Sequence, residues 1–225
     1  MTLAQLQHTI TACERGPRLV AHRERVAAVS VRRFQDQPYW GKPVPSFGDA
    51  RARLLVVGLA PAAHGANRTG RAFTGDRSGA WLYGALHAYQ FANQDRSEHR
   101  RDGLKLRDCY ITQVLHCVPP DNKPSRDEID NCADYMRTEI QLLKRLRVIL
   151  PLGKIAFDAS LRACRELALP LPTPAPKFGH GQVYPLSERL TLISSYHPSQ
   201  QNTQTGRLTR DMFHRVFATV REVLG

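Results

Sequence analysis

The sequence predicts a three-layer α/β/α sandwich built on a central four-stranded parallel sheet. Four short aliphatic runs alternate with segments of helical period, the pattern of a parallel sheet covered on both faces. The loops that follow those runs also carry most of the chain's unusual chemistry, where an open α/β sheet places its ligands. The length of 225 residues suits one domain over 1–225.

In chain order, residues 3–29 read as a helical layer broken at Gly16-Pro17, with Leu3, Leu6, Ile10, Leu19, Val26 and Val29 at helical spacing. Residues 34–48, rich in proline, glycine and aromatics, read as an ordered surface loop. Leu54 to Val57 is the first strand, ended by Gly58 and Pro61. A helix over 78–92 follows, then a polar stretch, 94–103, that reads as a solvated face without function. Asp108 to Leu115 is the second strand. Ser125 and Glu128 form a capping-box pattern that starts a helix through Leu143. Val148 to Leu152 is the third strand, with a helix from Gly153 to about Leu167. Leu169 to Pro185, with five prolines, reads as irregular. Leu190 to Tyr196 is the fourth strand, and a last amphipathic helix begins near Thr209.

Lys plus Arg number 32 against 20 for Asp plus Glu, a formal net charge of +12. Such a surface attracts polyanions, and nucleic acid is the natural partner. No apolar run reaches membrane-spanning length and the N-terminus lacks the pattern of a signal peptide, so a soluble, cytoplasmic protein is expected. Five cysteines in a reducing compartment argue against a disulfide framework and leave metal binding, cluster binding or packing.

Three loops at strand ends are chemically loaded: 58–76, 116–124 and 197–207. The first, GLAPAAHGANRTGRAFTGD, contains Gly58, Ala60, His64, Asn67, Arg68, Phe73 and Asp76. A plain connection rarely carries so many donors, acceptors and glycines.

With SYHPSQQNTQTGRLTR over 195–210 and PPDNKP over 119–124, this loop resembles the motifs of the family 5 enzymes of the uracil-DNA glycosylase superfamily. The likeness covers nearly the whole chain. It implies excision of uracil and related deaminated bases from double- or single-stranded DNA, by a monofunctional enzyme on an α/β/α sandwich carrying a [4Fe-4S] cluster. One flipped base needs one chain, so a monomer is expected. A non-catalytic module that binds damaged or single-stranded DNA is the alternative on the same fold.

By this resemblance, His197 stabilises charge on the departing base and Asp76 organises the hydrolytic water. For Asp76, capping of the following helix is an equal reading. Phe73 is the platform on which the base stacks, or a core residue. Asn122 assists the water or holds the sugar, or is a plain turn. Gly58, Ala60 and His64 line the base site, and Asn202 braces the loop that enters the DNA.

Gln113 departs from the family 5 pattern, where a small residue is common; its amide can face the base or the sheet. Leu59 stands where other glycosylase families place a polar or acidic residue. Cys13, Cys117 and Cys132 match three of the four cluster ligands, and Gly16 stands in place of the second, which leaves an incomplete cluster, a cluster with a water or another side chain on the fourth iron, or none. Cys109 and Cys164, inside a strand and a helix, read as packing.

Overall fold

The computed structural model describes residues 1–225. A six-stranded sheet runs β1 (Phe47–Gly48), β3 (Cys109–Gln113), β2 (Leu54–Gly58), β4 (Val148–Pro151), β6 (Thr191–Ile193) and β5 (Val183–Pro185) in spatial order. The four inner strands are parallel, and they are the four that the aliphatic runs predict. β1 and β5 add to the edges antiparallel. The four-stranded expectation is therefore corrected to six. Both additions fall in the proline-rich segments 34–48 and 169–185, where two or three residues of ladder leave no alternation to detect.

Alternation along the inner strands divides the core between the two faces. Leu54, Val56, Ile111, Val148, Leu150 and Ile193 face one side, against Leu82 and Leu86 of α4 (Arg77–Ala88) and Phe213, Val216 and Phe217 of α8 (Arg210–Leu224). Leu55, Val57, Tyr110, Ile149 and Leu192 face the other. There they meet Met136 and Ile140 of α5 (Arg126–Leu142) and Phe157 and Leu161 of α6 (Lys154–Glu166). These are the three layers. No helix is long and apolar enough to cross a membrane.

The N-terminal layer is α1 (Leu3–Thr11) and α2 (Pro17–Val29), parted at Gly16-Pro17 as the sequence indicates. Leu6, Ile10 and Leu19 pack with Leu115, Cys117, Cys132 and Tyr135 into a third, smaller apolar cluster. Ser125 Oγ accepts from Glu128 N while Glu128 Oε2 accepts from Ser125 N, the capping box read from sequence. The same carboxylate takes a bidentate bond from Arg18 of α2, at 2.7 and 2.8 Å.

Under α1 lies a buried polar cluster. Gln7 Nε2 donates to the Tyr110 hydroxyl at 2.8 Å and to Glu139 Oε1 at 3.2 Å, while Glu139 Oε2 has no partner. Burial pushes the Glu139 carboxyl up to about 7, against hydrogen bonding from Ser46, Thr112 and Gln7. An unfolded glutamate loses its proton near 4.5, whereas the folded chain holds this one to about 7. The stability this group contributes is thus full below pH 4.5 and lost as pH rises to 7. Glu139→Gln keeps the shape of the protonated acid. It is expected to gain on the order of 1–3 kcal/mol over wild type at pH 8 and nothing at pH 4.5. Thermal unfolding of both proteins at the two pH values measures this. An equal difference at both would contradict it.

Candidate active site

α4 follows β2 on one face and α6 follows β4 on the other, so a crevice opens at the carboxyl ends of these neighbouring strands. The loop after β2 and the segment after β6 meet there. Gly58 ends β2, and a Cβ on it would stand 2.7 Å from Phe73 Cζ, so only glycine lets the loop fold its aromatic ring back over the strand.

Phe73 sits at φ 52°, a conformation rare for a bulky residue, and its surroundings hold it there. Its carbonyl oxygen lies where a Cβ on Gly79 of α4 would be, 1.9 Å away. The Tyr83 hydroxyl donates to Ala72 O at 2.7 Å. Next to it Arg71, buried, donates to Asp102 Oδ2 at 2.5 Å, to Ser97 Oγ at 2.7 Å and to Thr74 Oγ1 at 3.0 Å. Phe73 is only 5% exposed and belongs to the core against α4 and α8, and its ring also pairs with His197, centroids 5.9 Å apart and 28° from parallel. Core residue and wall of the crevice are one and the same here.

Asp76 caps α4: its Oδ1 accepts from Gly79 N at 2.8 Å, and Oδ2 lies over Gly65. Burial raises its pKa above the usual carboxylate value, opposed by the Gly79 and Ser78 N–H groups. The capping reading is met, and the second oxygen leaves the acid a further capacity to accept. His64, on the loop's outer turn just ahead of the short α3 (Ala66–Thr69), is joined to the Tyr39 hydroxyl through Nδ1 at 3.0 Å, so the 34–46 segment braces this loop from outside.

His197 follows the end of β6, where Ser195 N bonds to Pro151 O and extends the parallel ladder. Its Cβ lies against Gly153 at the end of β4. The ring Nδ1 is buried without a partner, and burial pushes the imidazole down to about 4, so it is neutral at physiological pH. Asn202, on the single-turn α7 (Gln200–Gln204), donates from Nδ2 to His197 O at 2.9 Å and accepts from Leu208 N. It holds both ends of the 197–207 segment, as the bracing role requires, and turns what reads as a loop into a short helix capped by Ser199.

Gln113 is paired in register with Gly58 at the end of β3, 3% exposed. Five other predicted residues lie apart from the Phe73 and His197 pair. Ala60 packs toward the N-terminal helices. Asn122 is exposed, at φ 55° in the turn after Pro119, and its side chain makes no hydrogen bond, which is the plain-turn geometry. The thiols form a separate locus: Cys13, Cys117 and Cys132 line one small pocket with Gly16, Leu19, Arg23 and Glu128. Cys109 and Cys164 are buried in β3 and α6, in line with packing.

Sequence reasoning missed Asp102 and Ser97, in the stretch read as a solvated face. Their partner Arg71 lies about thirty residues away, and no spacing signals such a pair. Arg23 was also missed; it is 4% exposed and donates from Nη1 to Cys117 Sγ and Cys13 O, both at 3.3 Å. An arginine at the buried position of a helix that otherwise shows a polar face carries no distinguishing sequence signal.

Residues 45–221 match the family model described as the uracil DNA glycosylase superfamily. The chain is 46% identical over 225 residues to a protein of Mycobacterium tuberculosis named type-5 uracil-DNA glycosylase, covering all of this chain and 82% of that one. It is 47% identical over 219 residues to the Thermus thermophilus protein of the same name, covering 96% of each. A type-4 uracil-DNA glycosylase of Pyrobaculum aerophilum is more distant, at 30% over 162 residues, or 72% of this chain and 74% of that protein. Fold, crevice and relatives agree, and the chain belongs to the type-5 branch of the uracil DNA glycosylase superfamily.

Proposed function

We propose that this chain is a monofunctional DNA glycosylase that hydrolyses the N-glycosidic bond of uracil and related deaminated bases. The observation that carries the proposal is His197, neutral and half-buried beside Phe73 at the head of the crevice. The bond between C1′ and the base breaks with both electrons going to the base, and a water oxygen then bonds to C1′ while its proton ends on the base. Such a reaction needs a donor aimed at the carbonyl oxygen where negative charge develops. A neutral imidazole N–H serves as that donor without having to be recharged at physiological pH.

Asp76 supports the rest of the reading. A carboxylate oxygen beyond the one used for capping orients the water, and its negative charge favours the cationic sugar. The base must leave the stack to reach the crevice, and the net charge of +12 supplies phosphate contacts that hold the duplex while it does. Incubation with a duplex bearing one uracil, followed by alkali, is expected to cleave that strand at the uracil. Tight binding with an uncleaved strand, repeated with hypoxanthine and xanthine, would favour the non-catalytic binding module instead.

The thiol pocket fits an iron-sulfur cluster in its donor chemistry. Three thiols supply soft ligands, and Arg23 offers a buried positive charge beside Cys117. No three His, Cys, Asp or Glu side chains converge to hold a single metal ion, but a cluster spreads its ligands over separate irons. At Gly16 a Cβ would meet nothing nearer than Leu19 Cδ1 at 3.6 Å, so this position has room for a side chain and Gly16 itself supplies no ligand. Cys13, Cys117 and Cys132 would hold the group, which supplies a structural tie between the N-terminal layer and α5. Iron and sulfide are expected in nearly equal amounts in freshly purified protein, and Cys117→Ser is expected to lose both. Protein free of iron would leave the thiols as packing groups.

A further inference from the structure

The ladder that carries β6 ends at Ser195, whose N–H bonds to Pro151 O and whose carbonyl accepts from Gly153 N. Tyr196 is the one link between that ladder and His197. No backbone carbonyl takes its N–H, which donates instead to Nδ1 of His180 at 3.2 Å. His180 lies in the stretch 169–185, which the sequence shows only as irregular, on the turn leading into β5. That turn is tied to the same strand end. Gly181 N donates to Ser194 O at 2.7 Å, Ser194 N to Gln182 O at 2.9 Å and Ser194 Oγ to Gly179 O at 2.6 Å. On its far side the imidazole reaches α8, where Nε2 stands 3.2 Å from Met212 O.

These two partners fix the tautomer. A backbone N–H only donates and a carbonyl only accepts, so Nδ1 carries the lone pair and Nε2 the hydrogen. Burial also pushes the ring's pKa below the ordinary histidine value, against the bond to Met212 O. Ser195 Oγ, 3.4 Å from Nδ1, directs its own hydrogen to Tyr196 O at 2.9 Å. The Tyr196 ring is held too: the His180 ring leans on it with centroids 5.1 Å apart, and the Arg207 guanidinium lies over it at 4.7 Å. His180 therefore grips the residue before His197, while Asn202 grips the carbonyl of His197 itself.

Resting on the glycosylase reading above, we propose that His180 is a positioning residue for His197: its Nδ1 lone pair holds the Tyr196 N–H and so aims the charge-stabilising imidazole into the crevice. A misdirected donor loses most of its effect on the developing charge even though nothing in the crevice has been removed.

A set of variants separates this role from plain packing. His180→Asn keeps an acceptor near the Nδ1 position, His180→Gln moves its amide out toward Nε2, and His180→Leu removes both. The readout is the single-turnover rate of uracil release from a single-uracil duplex, beside affinity for a duplex with a tetrahydrofuran abasic analogue. His180→Leu and His180→Gln are expected to slow release about 10- to 100-fold with abasic affinity unchanged, and His180→Asn to stay within about threefold of wild type. In a His197→Ala background the two slow variants are expected to add less than about threefold, because no imidazole is left to aim. An equal loss in that background, His180→Asn as slow as His180→Gln, or both slow variants at the wild-type rate would overturn the inference. If His180→Leu does not fold, the contrast between His180→Asn and His180→Gln decides alone. Wild type that releases no uracil would overturn the glycosylase reading, and this inference with it.

Discussion

Replacement of His197 by alanine is expected to slow base release about 10²–10³-fold, the cost of losing one donor to a developing oxyanion. Affinity for uracil-containing DNA should change little, because phosphate contacts dominate it. Neutrality of the imidazole gives the prediction a second part. With its pKa pushed down to about 4 by burial, His197 does not titrate above pH 5, and the rate should show no inflection near the ordinary histidine value of 6.5. The same shift has a stability consequence of fixed sign. An unfolded histidine takes up a proton below 6.5 that the folded ring refuses, so stability is lost as pH falls from 6.5 toward 4. Urea midpoints between pH 7 and 5 should fall more steeply in wild type than in His197→Ala.

Arg71→Met is expected to destabilise the protein by about 3–5 kcal/mol, because it leaves the buried Asp102 carboxylate without its counter-charge. Burial alone would raise the Asp102 pKa, but the bond from Arg71 and the N–H groups of Leu104, Glu98 and His99 hold it below the usual range. The Arg71 and Asp102 side chains are 5% and 9% exposed, so solvent cannot replace the pair. Urea unfolding measures the loss. The double variant Arg71→Met, Asp102→Asn should recover part of it, since the stranded charge is then gone. Arg71 and Thr74 flank Phe73, so base release should fall with stability.

Legibility of the sequence followed the kind of interaction involved. The parallel strands were readable because burial on both faces writes a continuous aliphatic run, and α5 because a capping box and a helical stripe are local. The edge strands at 47–48 and 183–185 depend on a neighbour and on no period of their own. In the crevice, the motif residues His197, Phe73 and Asp76 were legible, and so was the ambiguity of Asp76, since one carboxylate can cap and still accept. The Arg71 to Asp102 pair and the Tyr39 to His64 contact were not, because tertiary folding brings those groups together. Asn122 shows the converse: the motif position is present, but the turn carries its side chain to solvent.

With His197 as the charge-stabilising donor, hydrolysis releases an intact base. Chromatographic measurement of free uracil from a single-uracil duplex, with wild type and His197→Ala in parallel and no alkali added, tests it most directly. Wild type should release one uracil per duplex and leave the strand unbroken, with the variant about 10²–10³-fold slower. No free uracil, or equal rates for the two proteins, would contradict it.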